Sequence, residues 1–359
     1  MRRFIPLLFL LPLLACDPFH TQFDDVEGAR HYHAKSQVTP PVTSDPLTIV
    51  TWNVKYGGGR ILFFWECGGH RGNMTRDEVI ANLEGLATKI RELDPDILLL
   101  QEVDVQSKRS AYVDQVQWLL DHTDLNHGVY ASAWKADFIP SDGLGRMDSG
   151  NAILSRWPLR NAVRYALPLI GDWSAIEKYF YLKRNIVTAE VLHPTRTFTV
   201  ANVHTEAFAE DDTKLSHLRR FAQVLSELDA AGMPFVAGGD LNSIPPGSPQ
   251  VAEFPDDNCG DARFEGDDYS GEETWLDPLY TQFISAIPLA DFQADPAAHF
   301  SFVGSDGDLP WNRCLDYLFS NHPWVTGSGH VHQSATPPAL DPLMLSDHAP
   351  VVAAWEVPQ

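Results

Sequence analysis

Residues 97–104 read ILLLQEVD, four apolar residues running straight into an amide and two carboxylates. An unbroken apolar run of this length marks a strand covered on both faces. Upstream of it, Thr75 and Glu78 have capping-box spacing. Val79, Leu83, Leu86, Ile90 and Leu93 then keep one helical face apolar until Asp94-Pro95 stops the helix. A further apolar strand, residues 47–52 (LTIVTW), precedes that helix. Strand, helix and buried strand in succession define an α/β chain. Working outward, strands are predicted at residues 129–134, 151–154, 185–192, 197–204, 235–239, 315–320 and 351–357. A second helix is predicted over 212–231, with Leu215, Leu218, Phe221, Ala222, Leu225 and Leu228 on one face and Gly232 at its end. The simplest arrangement is a two-sheet sandwich flanked by helices.

The polar residues sit where these strands end. Asn53 follows the first strand, Gln101-Glu102 follows ILLL, and His204 closes TFTVANVH. Asp240 and Asn242 follow PFVAGG, Asp316 opens a strand, and Asp347-His348 precedes PVVAAW. A carboxylate or imidazole fixed at a sheet rim is held rigidly, as a preorganised site requires. One such residue is unremarkable, but six rims together supply carboxylates, imidazoles and amides. That set suits phosphoester hydrolysis. Hard carboxylate oxygens can hold a divalent cation against the anionic substrate, an Asp can deprotonate water, and a His can protonate the leaving oxygen. No HExxH, GxSxG or GxxxxGK[ST] occurs.

The 359 residues, 44% hydrophobic and 21% charged, are enough for one large domain or two ordinary ones. A net charge of −22 argues against a basic stripe that grips DNA, while leaving room for a groove neutralised locally. Four cysteines without a CxxC exclude a disulfide scaffold or zinc ribbon.

The N-terminus carries Arg2-Arg3, an apolar run over residues 4–15, and Leu13-Leu14-Ala15-Cys16. The run is short of the roughly 20 residues that span a bilayer and reads as a secretory signal. Its end resembles a bacterial lipobox, which implies removal of residues 1–15, lipidation of Cys16, and a membrane-anchored protein of the cell envelope. Residues 16–46, with Pro40, Pro41 and Pro46, read as a flexible tether. In an oxidising compartment Cys67 and Cys259 are the favoured disulfide pair, and Cys314 reads as a buried strand residue.

Taken together, TWNV (51–54), LLLQEVD (98–104), SGNAILSRWPL (149–159), VANVHT (200–205), GGDLN (238–242), LDYLF (315–319) and LSDHAPV (345–351) resemble, in order, the motifs of the endonuclease/exonuclease/phosphatase superfamily with its DNase I-like fold. The resemblance covers residues 47–357. It implies a four-layered α/β sandwich with the site at one edge of two packed mixed sheets, and Mg2+ or Mn2+ as cofactor. It implies that Glu102 is the principal metal ligand with Asn53 beside it, and that Asp347 completes the metal shell or an outer one. Asp240 would activate water, Asn242 would bind phosphate, and His348, paired with Asp316, would contact the scissile phosphate. His204 falls where some branches carry a general acid, and Arg184 matches a basic residue near the phosphate; Arg109 is a further candidate. Two departures are Ser301, where many relatives have Thr, and Cys314-Leu315-Asp316 in place of Arg-Ile-Asp, with Arg313 just upstream.

The expected activity is a monomeric, metal-dependent phosphodiesterase acting on nucleic acid, with lipid or glycolipid head groups as the second substrate class. A catalytically silent binding module would show lost ligands, and none is lost here. Two segments fall outside this pattern. Residues 60–66 (RILFFWE) form an aromatic insert that either touches lipid or substrate, or folds onto the sandwich as an extra core layer. Residues 256–273 are strongly acidic and, lacking EF-hand spacing, read as a solvated loop.

Overall fold

The computed structural model describes residues 17–41, 46–257, 266–304 and 309–359. Among the described residues the strands are β1 (Val26–Gly28), β2 (Arg30–His33), β3 (Leu47–Asn53), β4 (Ile97–Asp104), β5 (His127–Ile139), β6 (Gly145–Ser155), β7 (Leu159–Ala166), β8 (Asn185–Val191), β9 (Phe198–His204), β10 (Phe235–Asp240), β11 (Ile284–Ser285), β12 (Asp316–Ser320), β13 (His330–Val331) and β14 (Val351–Trp355). The principal helices are α1 (Arg76–Leu93), α2 (Gln115–His122), α3 (Ala175–Phe180) and α4 (Thr213–Ala230). One seven-stranded sheet has the order β1-β7-β8-β9-β10-β12-β11, and the other β13-β14-β3-β4-β6-β5-β2. Each contains one parallel pair, β9 with β10 and β3 with β4, among antiparallel neighbours. The expected α/β sandwich of two mixed sheets with flanking helices is therefore present.

Alternation along the central strands explains the layers. In β3 and β4, Ile49 and Leu99 join a core with Val187, Ala201 and Val203 of the opposite sheet. Their neighbours Val50, Trp52, Leu98 and Leu100 instead meet Val79, Leu83, Leu86 and Ile90 of α1 and Leu119 of α2. A side chain such as Leu99, wholly removed from water, contributes about 2 kcal/mol. Both faces of the sheet are thus dry, which is why ILLL shows no polar alternation. Helix α1 starts on the Thr75–Glu78 capping box and ends at Asp94, whose backbone is left-handed.

The reading of residues 16–46 as a flexible tether is corrected over 17–41. Strand β1 pairs with β7 and β2 with β5, so this segment lengthens both sheets at their edges. It also covers a buried cation: Arg164 donates to Ser132 O and Lys183 O, and Phe23 lies over its guanidinium at 4.1 Å. Cys16 lies outside the described residues. Cys67 is disulfide-bonded, and Cys314 is free and buried as expected but precedes β12 instead of lying in a strand; Cys259, the expected partner of Cys67, lies outside the described residues. No helix among the described residues is long and apolar enough to cross a membrane.

The aromatic insert folds inward as a core layer. Phe63 is fully buried, stacks on Trp65 at 5.0 Å and meets the edge of Tyr56 at 4.9 Å. The acidic segment is likewise anchored where it is described. Asp256 accepts from Asn312 Nδ2, from the Gly304 amide and from the Arg313 guanidinium, which also meets Asp267 at 2.9 Å. Arg313 is therefore engaged there.

Candidate active site

The rim residues converge at one end of the sheet pair. In the β9–β10 register His204 lies opposite Asp240. A side chain at Gly239 would place its Cβ 1.8 Å from Val203 O, so the glycine lets these two strands approach. Glu102 sits at a register shift between β4 and β6 and has φ +57, a left-handed conformation that costs an L-residue roughly 1–2 kcal/mol. The bulge takes the carboxylate out of strand alternation and presents it at the rim. The turn carrying Asp347 and His348 is tied to β3, because Trp52 Nε1 donates to His348 O at 2.8 Å and Ser346 Oγ to Asn53 O at 2.8 Å.

Asp240 is the hub. Its Oδ2 accepts from Asn53 Nδ2 at 3.0 Å and lies 3.2 Å from His204 Nε2 and 3.6 Å from His348 Nε2, while its Oδ1 accepts from the Asn242 amide at 3.0 Å. Asn53 Nδ2 also donates to Glu102 Oε1 at 3.2 Å. His348 Nδ1 pairs with Asp316 Oδ2 at 2.8 Å, and Ser301 Oγ donates to the same oxygen at 2.7 Å. The serine therefore supplies the hydroxyl at the position where many relatives have Thr. The Asn242 side chain donates to Thr205 O at 3.1 Å, which fixes its orientation at the end of β10.

Electrostatics separate the titrating groups. Burial and the nearby Asp316 push Asp240 up to about 7 despite the opposing pull of His348. Burial works against a charged His348, but Asp316 and Asp240 outweigh it and raise the imidazole to about 10. His204 is driven well below its usual value by burial, with Arg184 and His348 adding to the effect. Burial and the Asp347 carboxylate raise Glu102. Asp240 thus titrates near neutrality between a charged imidazole and a neutral one.

The two arginines differ. Arg184, just before β8, is buried with its Nε 3.6 Å from Glu206 Oε2, and that Nε makes no hydrogen bond among the described residues. Arg109 is taken up elsewhere: it grips Asp104 through two bonds of 2.9 and 2.8 Å and lies over the Tyr56 ring at 3.7 Å. Its guanidinium faces a carboxylate and an aromatic layer, and its charge also acts on Glu102.

Three residues at the site were not singled out from sequence. Lys55, two residues after Asn53, puts its Nζ 2.5 Å from Glu66 Oε1 and 3.6 Å from Asp347 Oδ2. Glu206, two residues after His204, is buried against Arg184 and accepts from Tyr181 OH at 3.2 Å. Proximity to the motif residues was the available signal for Lys55 and Glu206. Glu66 had none, since only the path of the insert brings it there.

Two groups of side chains can hold a cation. Asp240, Asp316 and His348 place ligand atoms within 4.8 Å of one another, and Asp316 Oδ1 is buried without a hydrogen-bond partner among the described residues. On the other side Glu102 and Asp347 offer carboxylate oxygens, while Asn53 turns its Nδ2 to Glu102 and its Oδ1 to the Lys55 amide at 3.0 Å.

A model described as the Endonuclease/Exonuclease/phosphatase family matches residues 50–348. Among solved structures, an endonuclease/exonuclease/phosphatase from Beutenbergia cavernae is similar with a TM-score of 0.55 and 20% identity, over 88% of this chain and 72% of that one. A family protein from Leptotrichia buccalis gives 0.52 and 15%, over 87% of this chain and 100% of that one. The human Nocturnin catalytic domain with bound sulfate anion gives 0.50 and 17%, over 91% and 96%. At these identities the likeness is one of fold. No curated protein sequence matches the chain.

Proposed function

The chain belongs to the endonuclease/exonuclease/phosphatase family, and from that premise we propose that it is a divalent-metal phosphodiesterase of the cell envelope that cleaves nucleic acid. The observation that carries this reading is the Asp240 carboxylate, on whose Oδ2 Asn53, His204 and His348 converge. A carboxylate poised near pH 7 between two imidazoles can take a proton from water and share it with a neighbour.

Glu102 and Asn53 would hold Mg2+ or Mn2+, with Asp347 beside them. The fit rests on the two carboxylates, with Glu102 turned to the rim by its bulge; Asn53, whose Oδ1 accepts from the Lys55 amide, would turn its side-chain amide to ligate. In the alternative group His348 Nδ1 and Asp316 Oδ2 are joined by a hydrogen bond, which leaves Asp316 Oδ1 as its uncommitted oxygen among the described residues. Bound at Glu102, the cation would offset charge on the phosphoryl oxygens. Asp240 orients and deprotonates the water. His348, kept charged by Asp316, contacts the phosphate, and Asn242 and Arg184 donate to its oxygens. His204 rests neutral, so to act as general acid it would receive, across 3.2 Å, the proton that Asp240 takes from water and pass it to the leaving oxygen.

Nucleic acid is favoured over lipid because the aromatic insert, which together with the lipid anchor pointed to a membrane substrate, is folded into the core. Lipidation at Cys16 and a monomeric state complete the proposal. Metal-dependent turnover of plasmid, RNA, sphingomyelin and phosphoinositides, compared side by side, tests it. The expected result is cleavage of nucleic acid that stops in EDTA. Turnover of only the lipids would transfer the assignment to head groups, and full activity in EDTA would end the metal reading.

A further inference from the structure

Lys55 occupies an expensive position. Lys55, Tyr56 and Gly57 have φ of +44, +44 and +66, so two L-residues in succession adopt the left-handed conformation. Lys55 is only 3% exposed, and an ammonium this deeply buried persists only when it is paired. Its partners are Glu66, delivered by the aromatic insert, and Asp347. The insert is held on both sides of Glu66: Phe63 and Trp65 stack on its N-terminal side, and Cys67 enters a disulfide on the other. Phe63 N also donates to Glu66 Oε2 at 2.7 Å, which fixes the carboxylate.

This cation lies among the groups that would hold a metal. Asp347 presents Oδ2 to Lys55 at 3.6 Å, and its Oδ1 lies 3.2 Å from Ser346 Oγ, whose proton is directed to Asn53 O at 2.8 Å. The other carboxylate pair, Asp240 and Asp316, has the His348 imidazole between them, 3.6 and 2.8 Å away. Among the described residues Glu102 has one basic side chain within ion-pair distance, His204 at 4.0 Å, with the charges of Arg109 and Arg184 acting on it from farther off.

We propose that Lys55, fixed by Glu66, is a built-in cation of the active site that takes the place of a second divalent ion beside Asp347, so that the centre binds a single metal ion. This inference rests on the metal reading of the preceding section. It assigns the aromatic insert a task in that chemistry, the placement of one carboxylate that locks one ammonium.

Calorimetric titration of the purified chain with Mn2+ tests it through stoichiometry and affinity, independently of turnover. Wild-type protein should bind one Mn2+ per chain. Lys55→Met should either admit a second ion or bind the first at least about tenfold more tightly, because a positive charge has left the site. Glu66→Gln should act in the opposite sense and weaken Mn2+ by about tenfold, since Lys55 then stands uncompensated beside Asp347. A melting curve of each variant confirms folding, and misfolding cannot produce tighter binding. Two ions in the wild type overturn the proposal while leaving the metal reading intact. Unchanged stoichiometry and affinity in both variants also overturn it. No Mn2+ binding in the wild type removes the metal reading itself, and the role of Lys55 with it.

Discussion

Strands β3 and β4, which bring Asn53 and Glu102, belong to one sheet, whereas β9, β10 and β12, which bring His204, Asp240 and Asp316, belong to the other. The first set is amide and carboxylate, suited to a cation. The second alternates imidazole and carboxylate, suited to moving a proton. Side chains tie the two sets together: Asn53 touches both Glu102 and Asp240, His348, from the turn before β14, touches both Asp316 and Asp240, and behind them Gln101 Nε2 donates to Asn202 Oδ1 at 2.7 Å. Neither sheet alone holds a complete site. The packing between them, through Ile49 and Leu99 against Ala201 and Val203, sets the distances that catalysis needs.

The largest expected effect comes from emptying the cation side. Glu102→Ala should lower kcat on a phosphodiester by roughly 10⁴-fold, several kcal/mol of lost charge stabilisation, with little change in melting temperature. Near-wild-type turnover would remove Glu102 from the chemistry.

On the proton side, His204→Ala should slow a natural diester by roughly 10²–10⁴-fold and bis-p-nitrophenyl phosphate much less. An alkoxide needs the proton that a nitrophenolate does not. Equal slowing of both esters in a folded variant would make His204 a phosphate-binding residue and pass the acid role to His348.

The bridge itself should behave as a unit. Asp316→Asn is expected to cost roughly 10²-fold, and the double variant with His348→Ala little more than His348→Ala alone, because both act through one imidazole. Additive losses would mean that Asp316 acts independently.

The smallest effect is on stability, behind the proton side. His217 is fully buried, accepts from the Glu206 amide through Nδ1 and makes a 2.7 Å contact with Pro168 O through Nε2. Burial lowers it from 6.5 to about 4. The unfolded chain therefore binds the extra proton between those values, and stability falls as pH drops from 6.5 towards 4. This group alone costs about 2 kcal/mol at pH 5. His217→Gln should flatten that acid slope in thermal melts; an unchanged slope would place the titration elsewhere.

What could be read from sequence follows burial. The central strands and both long helices carried strong apolar patterns, and the rim residues were visible because polarity after such a run is abrupt. Strand β2, RHYH, buries only Tyr32, and β11 and β13 are two residues long, so their pairing comes from the sheet they join and not from their own composition. Strand β7, LRNAVRYA, carries Arg160 and Arg164 within it, and the second is buried between Phe23 of the N-terminal segment and the carbonyls of Ser132 and Lys183. The Arg109–Asp104 pair and the Lys55–Glu66 pair were illegible for the same reason. Side-chain partners across a turn or an insert are set by tertiary path, which spacing does not encode.

The division into a cation side and a proton side is tested most directly by measuring Mn2+ affinity and diester turnover together in Asp240→Asn and Glu102→Gln. Asp240→Asn is predicted to bind Mn2+ like the wild type and yet be nearly inactive, while Glu102→Gln loses both. Loss of Mn2+ binding in Asp240→Asn would contradict this account, because the ion would then sit among Asp240, Asp316 and His348.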